Sequence, residues 1–317
     1  MSLRLPSLQG RGRGRVITRT VRHEPSPLSP PLQGGDPRNR ARKRTCLALL
    51  IWFTIVLLWA VATPLSAKPQ RIASINLCTD QLVVLLAERS AIVSLYRSSA
   101  DPAFSFVAGQ VRGMHLNRGL AEEIMALKPD LVVAGIFTAR PAVALLRRHG
   151  VKVIELPLAD SFDSIRRQIE TLAAELGEEH RGRQLIGEME RRLASVALGA
   201  GRVRSALAVG PNLFTNGRAT LFDEVLSRAG LRNVAAEQGL TGFARLDLEQ
   251  LVRSSPDVIV VPEDPGRRPS LAAERLGHPA IRHVLNERTL VSIPSALWSC
   301  GGPFTVEAVE KIAKAAR

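Results

Sequence analysis

At 317 residues the chain is long enough for about two domains, each with its own core, which excludes a single small module. Its net charge of +14 suggests nucleic acid, but residues 1–67 hold 11 of the 43 Lys and Arg against two acids, Glu24 and Asp36. From Lys68 onward 32 basic residues face 27 acidic ones with no Lys/Arg block interleaved with aromatics, so no nucleic-acid partner is expected.

Residues 1–45 are rich in Arg, Pro and Gly and lack apolar periodicity, a composition that cannot bury enough surface to offset chain entropy. A disordered extension is expected there. Residues 46–67 follow the order of a secretory signal. The basic cluster Arg40, Arg42, Lys43 and Arg44 precedes the apolar run Cys46 to Ala62, and Thr63-Pro64-Leu65-Ser66-Ala67 supplies small residues before Lys68. Cleavage after Ala67 is favoured, with a retained membrane anchor as the competing outcome. Either way the basic cluster puts the remainder in the periplasm, meeting the membrane only through this segment. Cys46 falls inside it, so Cys78 and Cys300 are the sole cysteines in an oxidising compartment, where a disulfide is permitted.

From Arg71 the grammar is that of an α/β protein. Arg71 to Ile75 reads as a short strand ending at Asn76, and Asp80 is a candidate cap for a helix whose apolar positions are Leu82, Val83, Leu85 and Leu86. Leu131 to Ala134 and Val151 to Leu156 are continuous apolar runs of parallel-strand type, separated by a helical segment, Pro141 to His149, that Gly150 closes. Residues 70–177 are thus one lobe. Its last helix, Ser161 to Leu176, stops at Gly177, and residues 178–198 form a second helix with Leu185, Ile186, Met189, Leu193 and Val196 on one stripe. About 20 residues of helix span roughly 30 Å, a stiff link that limits relative motion of what it joins.

Residues 199–317 repeat the pattern. Residues 120–133 align without a gap on 247–260, matching Glu122 with Glu249, Pro129 with Pro256 and Asp130 with Asp257. Ser205 to Val209 and Leu221 to Ala229 correspond to the first strand and helix of the earlier lobe. The fold class expected is α/β: two Rossmann-like lobes joined by a single long helix.

These features together, the strand with Asn76-Leu77-Cys78-Thr79-Asp80, the segment Glu122 to Asp130, the linking helix and the segment Glu249 to Asp257, resemble the cobalamin and iron-siderophore binding proteins of ABC importers. The resemblance runs from Arg71 to the C-terminus. It implies a ligand cleft between the two lobes of a monomeric, exported solute-binding protein, not an enzyme and without a cofactor, that delivers a metal chelate to a membrane permease. It also implies that Glu122 and Glu249 dock arginines of that permease, against the plainer alternative of acids that only complement a helix macrodipole.

In open parallel sheets ligands meet the loops at the carboxyl ends of strands. On those loops lie Asn76, Cys78, Thr79, Tyr96, Arg97, His115, Arg118, Phe137, Arg140, Phe214, Arg218, Arg245, Trp298 and Cys300, the candidate cleft residues. Trp298 suits either a planar ligand or its own lobe's core. Cys78 and Cys300 are expected near one another across the cleft, as inert small hydrophobes, as a disulfide, or as thiols able to take a soft metal. A bridge across a ligand entrance would restrict entry, which favours free thiols. His115 is more simply a hydrogen-bonded surface residue than a ligand.

No Gly-x-Ser-x-Gly, His-Glu-x-x-His, Walker or Gly-x-Gly-x-x-Gly motif occurs, so no catalytic constellation can be named for a periplasmic enzyme. The closer alternative is a zinc or manganese binding protein of the same fold. Such a site needs three or four convergent ligands, and the five histidines after the signal are scattered at 115, 149, 180, 278 and 283.

Overall fold

The computed structural model describes residues 68–138, 140–196, 202–263 and 288–316. The disordered extension expected at 1–45, the signal or anchor at 46–67 and the end of the linking helix at 197–198 lie outside the described residues. Among the described residues no helix is long and apolar enough to cross a membrane.

The first lobe runs β1 (Ile72–Ser74), α1 (Leu77–Leu86), β2 (Ile92–Tyr96), β3 (Leu116–Asn117), α2 (Ala121–Ala126), β4 (Leu131–Gly135), α3 (Arg140–Arg148), β5 (Val153–Leu156) and α4 (Phe162–Leu176). Its five strands pair in the order β3-β2-β1-β4-β5, all parallel. The apolar runs explain the layering: β1 and residues 131–134 of β4 are buried on both faces, as strands covered by helices on each side must be. The helix α5 (Glu179–Ser195) follows. Next come β6 (Ser205–Ala208), β7 (Phe214–Asn216), α6 (Leu221–Arg228), β8 (Arg232–Asn233), α7 (Val234–Glu237), β9 (Phe243–Arg245), α8 (Leu248–Ser254), β10 (Val258–Glu263), β11 (Thr289–Pro294) and α9 (Val306–Ala315). Here a parallel sheet of order β11-β10-β6-β8 carries the second lobe, and β7 and β9 form a separate antiparallel ribbon.

Helix α1 begins earlier than expected. Asn76, not Asp80, is its N-cap, its side chain accepting from the N–H groups of Cys78 (2.9 Å) and Thr79 (3.4 Å). Asp80 therefore falls in the first turn facing inward, fully buried, where its carboxylate accepts from the Tyr96 N–H (2.8 Å) and the Ser99 hydroxyl. Burial pushes its pKa up to about 7 from the ordinary 3.8. Between those values the folded chain holds a proton that the unfolded chain has lost, so this group's contribution to stability falls as pH rises from about 4 to about 7. Asp80→Asn, which keeps the accepting oxygen, is expected to flatten the dependence of melting temperature on pH in that window. An unchanged slope would remove Asp80 as its source.

The repeat has a structural reason in its Pro-Asp pairs. Asp130, ahead of β4, accepts from the N–H groups of Gln70 (2.7 Å) and Arg71 (3.1 Å) at the entry to β1. Asp257, ahead of β10, accepts from the N–H (2.8 Å) and hydroxyl (2.9 Å) of Ser205 at the entry to β6, and those bonds hold its carboxyl below the usual range. Each aspartate fastens the start of its neighbouring strand.

Helix α5 has 17 residues, about 25 Å of rise, and it is not a free strut. The left-handed Gly177 (φ +66°) turns the chain back so that α5 packs along α4, where a Cβ at Gly182 would stand 2.6 Å from that of Ala173. Its far end meets the second lobe through Arg192, which donates to both oxygens of Glu310 on α9 (2.9 and 2.7 Å). Elsewhere Phe106 stacks on Phe304 at 4.6 Å, and the Phe162 N–H at the start of α4 donates to Glu224 of α6 (2.8 Å). One buried apolar cluster accordingly runs from Ile72 and Leu82 through Ile169 and Met189 to Val225, Val258 and Ile312, so both lobes share it.

Candidate functional site

Between the lobes lies a cavity of about 520 Å3. The first lobe supplies the segments after β1, β4 and β5, all at strand carboxyl ends; the second supplies the start of α6, the β7–β9 ribbon and the turn after β11. Its wall is mostly apolar. Phe137 (77% exposed), Leu158 (56%) and Phe243 (71%) stand at the open side, while Thr79, Phe222 and Cys300 are buried and form the inner part. Phe222 and Trp298 pack at 4.8 Å in a tilted pair. Trp298 thus packs within its own lobe and also lines the cavity.

Of the fourteen candidate cleft residues, Asn76, Cys78, Thr79, Phe137, Trp298 and Cys300 line this cavity. Asn76 and Thr79 are engaged in the wall itself, Asn76 as the α1 cap and Thr79 through the Ser74 hydroxyl (2.8 Å). The other eight do not line it. Tyr96 and Arg97 sit where β2 passes into a short turn, and Tyr96 packs beside Gly119. The His115 ring lies 3.0 Å from the Ser94 hydroxyl. Arg118 is paired with Glu123, whose carboxyl its N–H groups hold below the usual range. Arg140 is exposed at the start of α3, and Arg218 donates to the Ala236 carbonyl (3.2 Å). Phe214 and Arg245 lie opposite one another on the β7–β9 ribbon.

Cys78 and Cys300 form a disulfide, their Cα atoms 5.1 Å apart across 222 residues of sequence. The shared-cleft expectation therefore holds, and the preference for free thiols is overturned. That preference assumed that a bridge would obstruct entry. The bridge instead lies in the cavity wall, Cys300 being only 3% exposed, while the mouth is framed by Phe137, Leu158 and Phe243. Gly301, next to it, lies close against the first lobe: a Cβ there would come within 2.3 Å of Ala159.

Several lining residues escaped the sequence reading: residues 156–160 at the end of β5 and just after it, Gln168 on α4, Phe222 on α6 and Phe243 on β9. The first group was within reach, because the rule that ligands meet strand carboxyl ends applies to β5 as it does to β1 and β4. Phe222 and Phe243 had no signal beyond being aromatic.

Glu122 and Glu249 lie away from the cavity, both exposed and both in the first turn of a short helix, α2 and α8. Glu249 is 3.7 Å from Arg253. Among the described residues no three His, Cys, Asp or Glu side chains converge as a metal site.

Two α/β lobes that share a core and hold an apolar cleft between strand-end loops define a solute-binding protein. The chain belongs to the periplasmic binding protein family, whose pattern it matches over residues 72–283. It is 25% identical over 258 residues to an ABC transporter substrate-binding lipoprotein of Bacillus subtilis, covering 78% of this chain and 80% of that one. Among solved structures it is similar to the periplasmic haem-binding protein of Roseiflexus (TM-score 0.63, 22% identity, 79% of this chain and 100% of the other). The periplasmic vitamin B12 binding protein of Vibrio cholerae is another (TM-score 0.57, 20% identity, 78% and 96%).

Proposed function

We propose that the protein captures a metal chelate of the corrinoid or iron-siderophore class outside the cytoplasmic membrane and hands it to the permease of an ABC importer. The observation that carries this is the character of the cleft: an apolar, aromatic-mouthed cavity of about 520 Å3 whose only charged lining side chain among the described residues is Asp160. Binding a bare zinc or manganese ion needs three or more convergent donors, and the described residues offer no such set. Haem asks for less, one or two axial ligands from His, Tyr, Met or a thiolate. Among the described residues the lining includes no His, Tyr or Met, and both of its cysteines are held in the disulfide. The wall therefore favours a cargo whose metal is already fully coordinated.

The test is thermal unfolding with cyanocobalamin, a ferric hydroxamate complex, haemin and zinc chloride in separate wells. A ligand at 100 times its Kd stabilises by about 2.7 kcal/mol. A rise in melting temperature with either of the first two is expected. A rise with zinc alone would overturn the reading.

The resemblance in both halves, together with the exposure of Glu122 and Glu249, supports a role for them in contacting permease arginines. Glu122→Lys and Glu249→Lys are each expected to reduce importer-dependent uptake about tenfold or more, the loss of a charge-assisted contact together with a new repulsion. Ligand affinity of the isolated protein should stay within twofold. Parallel loss of affinity would remove the docking role. The order of residues 40–68 supports export with cleavage after Ala67, so that the processed chain starts at Lys68 in the periplasm.

A further inference from the structure

The β7–β9 ribbon pairs Phe214 with Arg245 and Asn216 with Phe243. Directly opposed residues of an antiparallel pair share a face, and so do alternate residues along each strand. Phe214, Asn216, Phe243 and Arg245 therefore stand on one side, and Thr215 and Ala244 on the other. Burial follows this at Thr215, 1% exposed, against Phe214 (50%), Phe243 (71%) and Arg245, which is also exposed, while Asn216 is 6% exposed where the outer face enters the cavity wall. Half of the outer face is already cavity wall, because Asn216 and Phe243 line the cleft. The other half, Phe214 and Arg245, lies two residues along the ribbon, roughly 7 Å further out.

This platform is preformed. Backbone bonds continue beyond the strands at both ends, from the Gly217 N–H to the Gly242 carbonyl (2.8 Å) and from the Leu246 N–H to the Leu213 carbonyl (2.9 Å). The approach is so close that a Cβ on Gly217 would stand 2.3 Å from the Leu240 carbonyl oxygen.

Two facts call for an occupant. Neighbouring aromatic rings are exposed on a fixed surface beside a ligand cavity. Among the described residues Arg245 has no carboxylate partner, and the cavity lining carries an acid but no base. Size points the same way. Cavities of about 300–1,000 Å3 enclose drug-sized molecules, and a corrinoid is larger than those, so part of it must overhang the mouth.

We infer that Phe214 and Arg245 form an outer subsite for an anionic, ring-bearing arm of the cargo, the nucleotide loop of a corrinoid. The guanidinium takes the phosphate oxygens through its paired N–H groups, and the Phe214 ring packs on the arm's aromatic base. This rests on the reading of the cleft as a chelate site and adds to it a reason for preferring cargo that carries such an arm.

Two corrinoids separate the subsite from the cavity: cyanocobalamin, which carries the phosphate-linked arm, and dicyanocobinamide, which lacks it. Affinities would be measured by calorimetry for the wild type, Arg245→Glu, Arg245→Gln and Phe214→Ala. Arg245→Glu is expected to weaken cyanocobalamin at least tenfold and dicyanocobinamide less than twofold. Arg245→Gln and Phe214→Ala should show the same selectivity at smaller size. Equal weakening of both corrinoids, or of neither, overturns the subsite and leaves the chelate reading standing. Failure of the wild type to bind either corrinoid overturns the subsite together with the corrinoid part of that reading. Unchanged affinities with reduced uptake would assign Arg245 to the permease interface instead, and also overturn it.

Discussion

Replacing Cys78 and Cys300 together by alanine is expected to lower the melting temperature by the order of 10 °C. In the chain-entropy account a cross-link that closes a loop of this length stabilises by up to about 5 kcal/mol, and for a protein of this size each kcal/mol shifts the midpoint by roughly 2–4 °C. The residues joined are 222 positions apart, so the unfolded chain is strongly constrained by the link. Reducing agent should lower the wild type's midpoint by a similar amount and leave the double variant unaffected. Thiol titration of unreduced, denatured wild-type protein should find no free cysteine among these two. Finding both thiols free, or equal midpoints for the wild type and the variant, would remove the bridge from the working protein. Because Cys300 is buried and Cys78 lies in the cavity wall, ligand affinity should fall as well.

The second large effect concerns the mouth. Phe137 comes from the first lobe and Phe243 from the second, and both are largely exposed while lining the cavity. Exposed aromatics become binding anchors when a ligand covers them, and burying such a side chain contributes about 1.5–3 kcal/mol. Phe137→Ala and Phe243→Ala are each expected to weaken ligand about tenfold, and the double variant about a hundredfold if the rings act independently. Neither change should shift the melting temperature of the unliganded protein, since neither ring is in the core. Retained affinity in the double variant would place the ligand elsewhere.

Much of the scaffold could be read from residue order alone. Continuous apolar runs gave β4 and the later part of Val151 to Leu156, and Gly177 marked the break between α4 and α5. The Glu-to-Asp repeat located α2 and α8 as well as the strands that follow them. The site was harder to read, for an identifiable reason. Sequence places a side chain on a loop but not on a side of that loop, and a loop of a few residues can turn either way. Arg118, Arg218 and His115 all occupy the expected loops, yet Glu123, the Ala236 carbonyl and Ser94 engage them. Asp80 was misread for a related reason: Asn76 could also cap, and when it does the helix starts four residues sooner and carries Asp80 inward. The cavity proved apolar where a basic lining was expected, because the arginines that reach strand ends are turned to pairing or to solvent.

The apolar cluster common to both lobes also bears on timescale. Where separate cores meet across a flexible joint, lobes swing apart over microseconds to milliseconds. Here, opening the cleft as two plates would expose side chains of the apolar cluster that both lobes share, so it would cost more than a hinge between separate cores. What remains free to move quickly is the rim, since exposed side chains change rotamer in picoseconds to nanoseconds. Cargo would then enter by displacing Phe137, Leu158 and Phe243, and the lifetime of the loaded complex would be governed by how those few side chains release it.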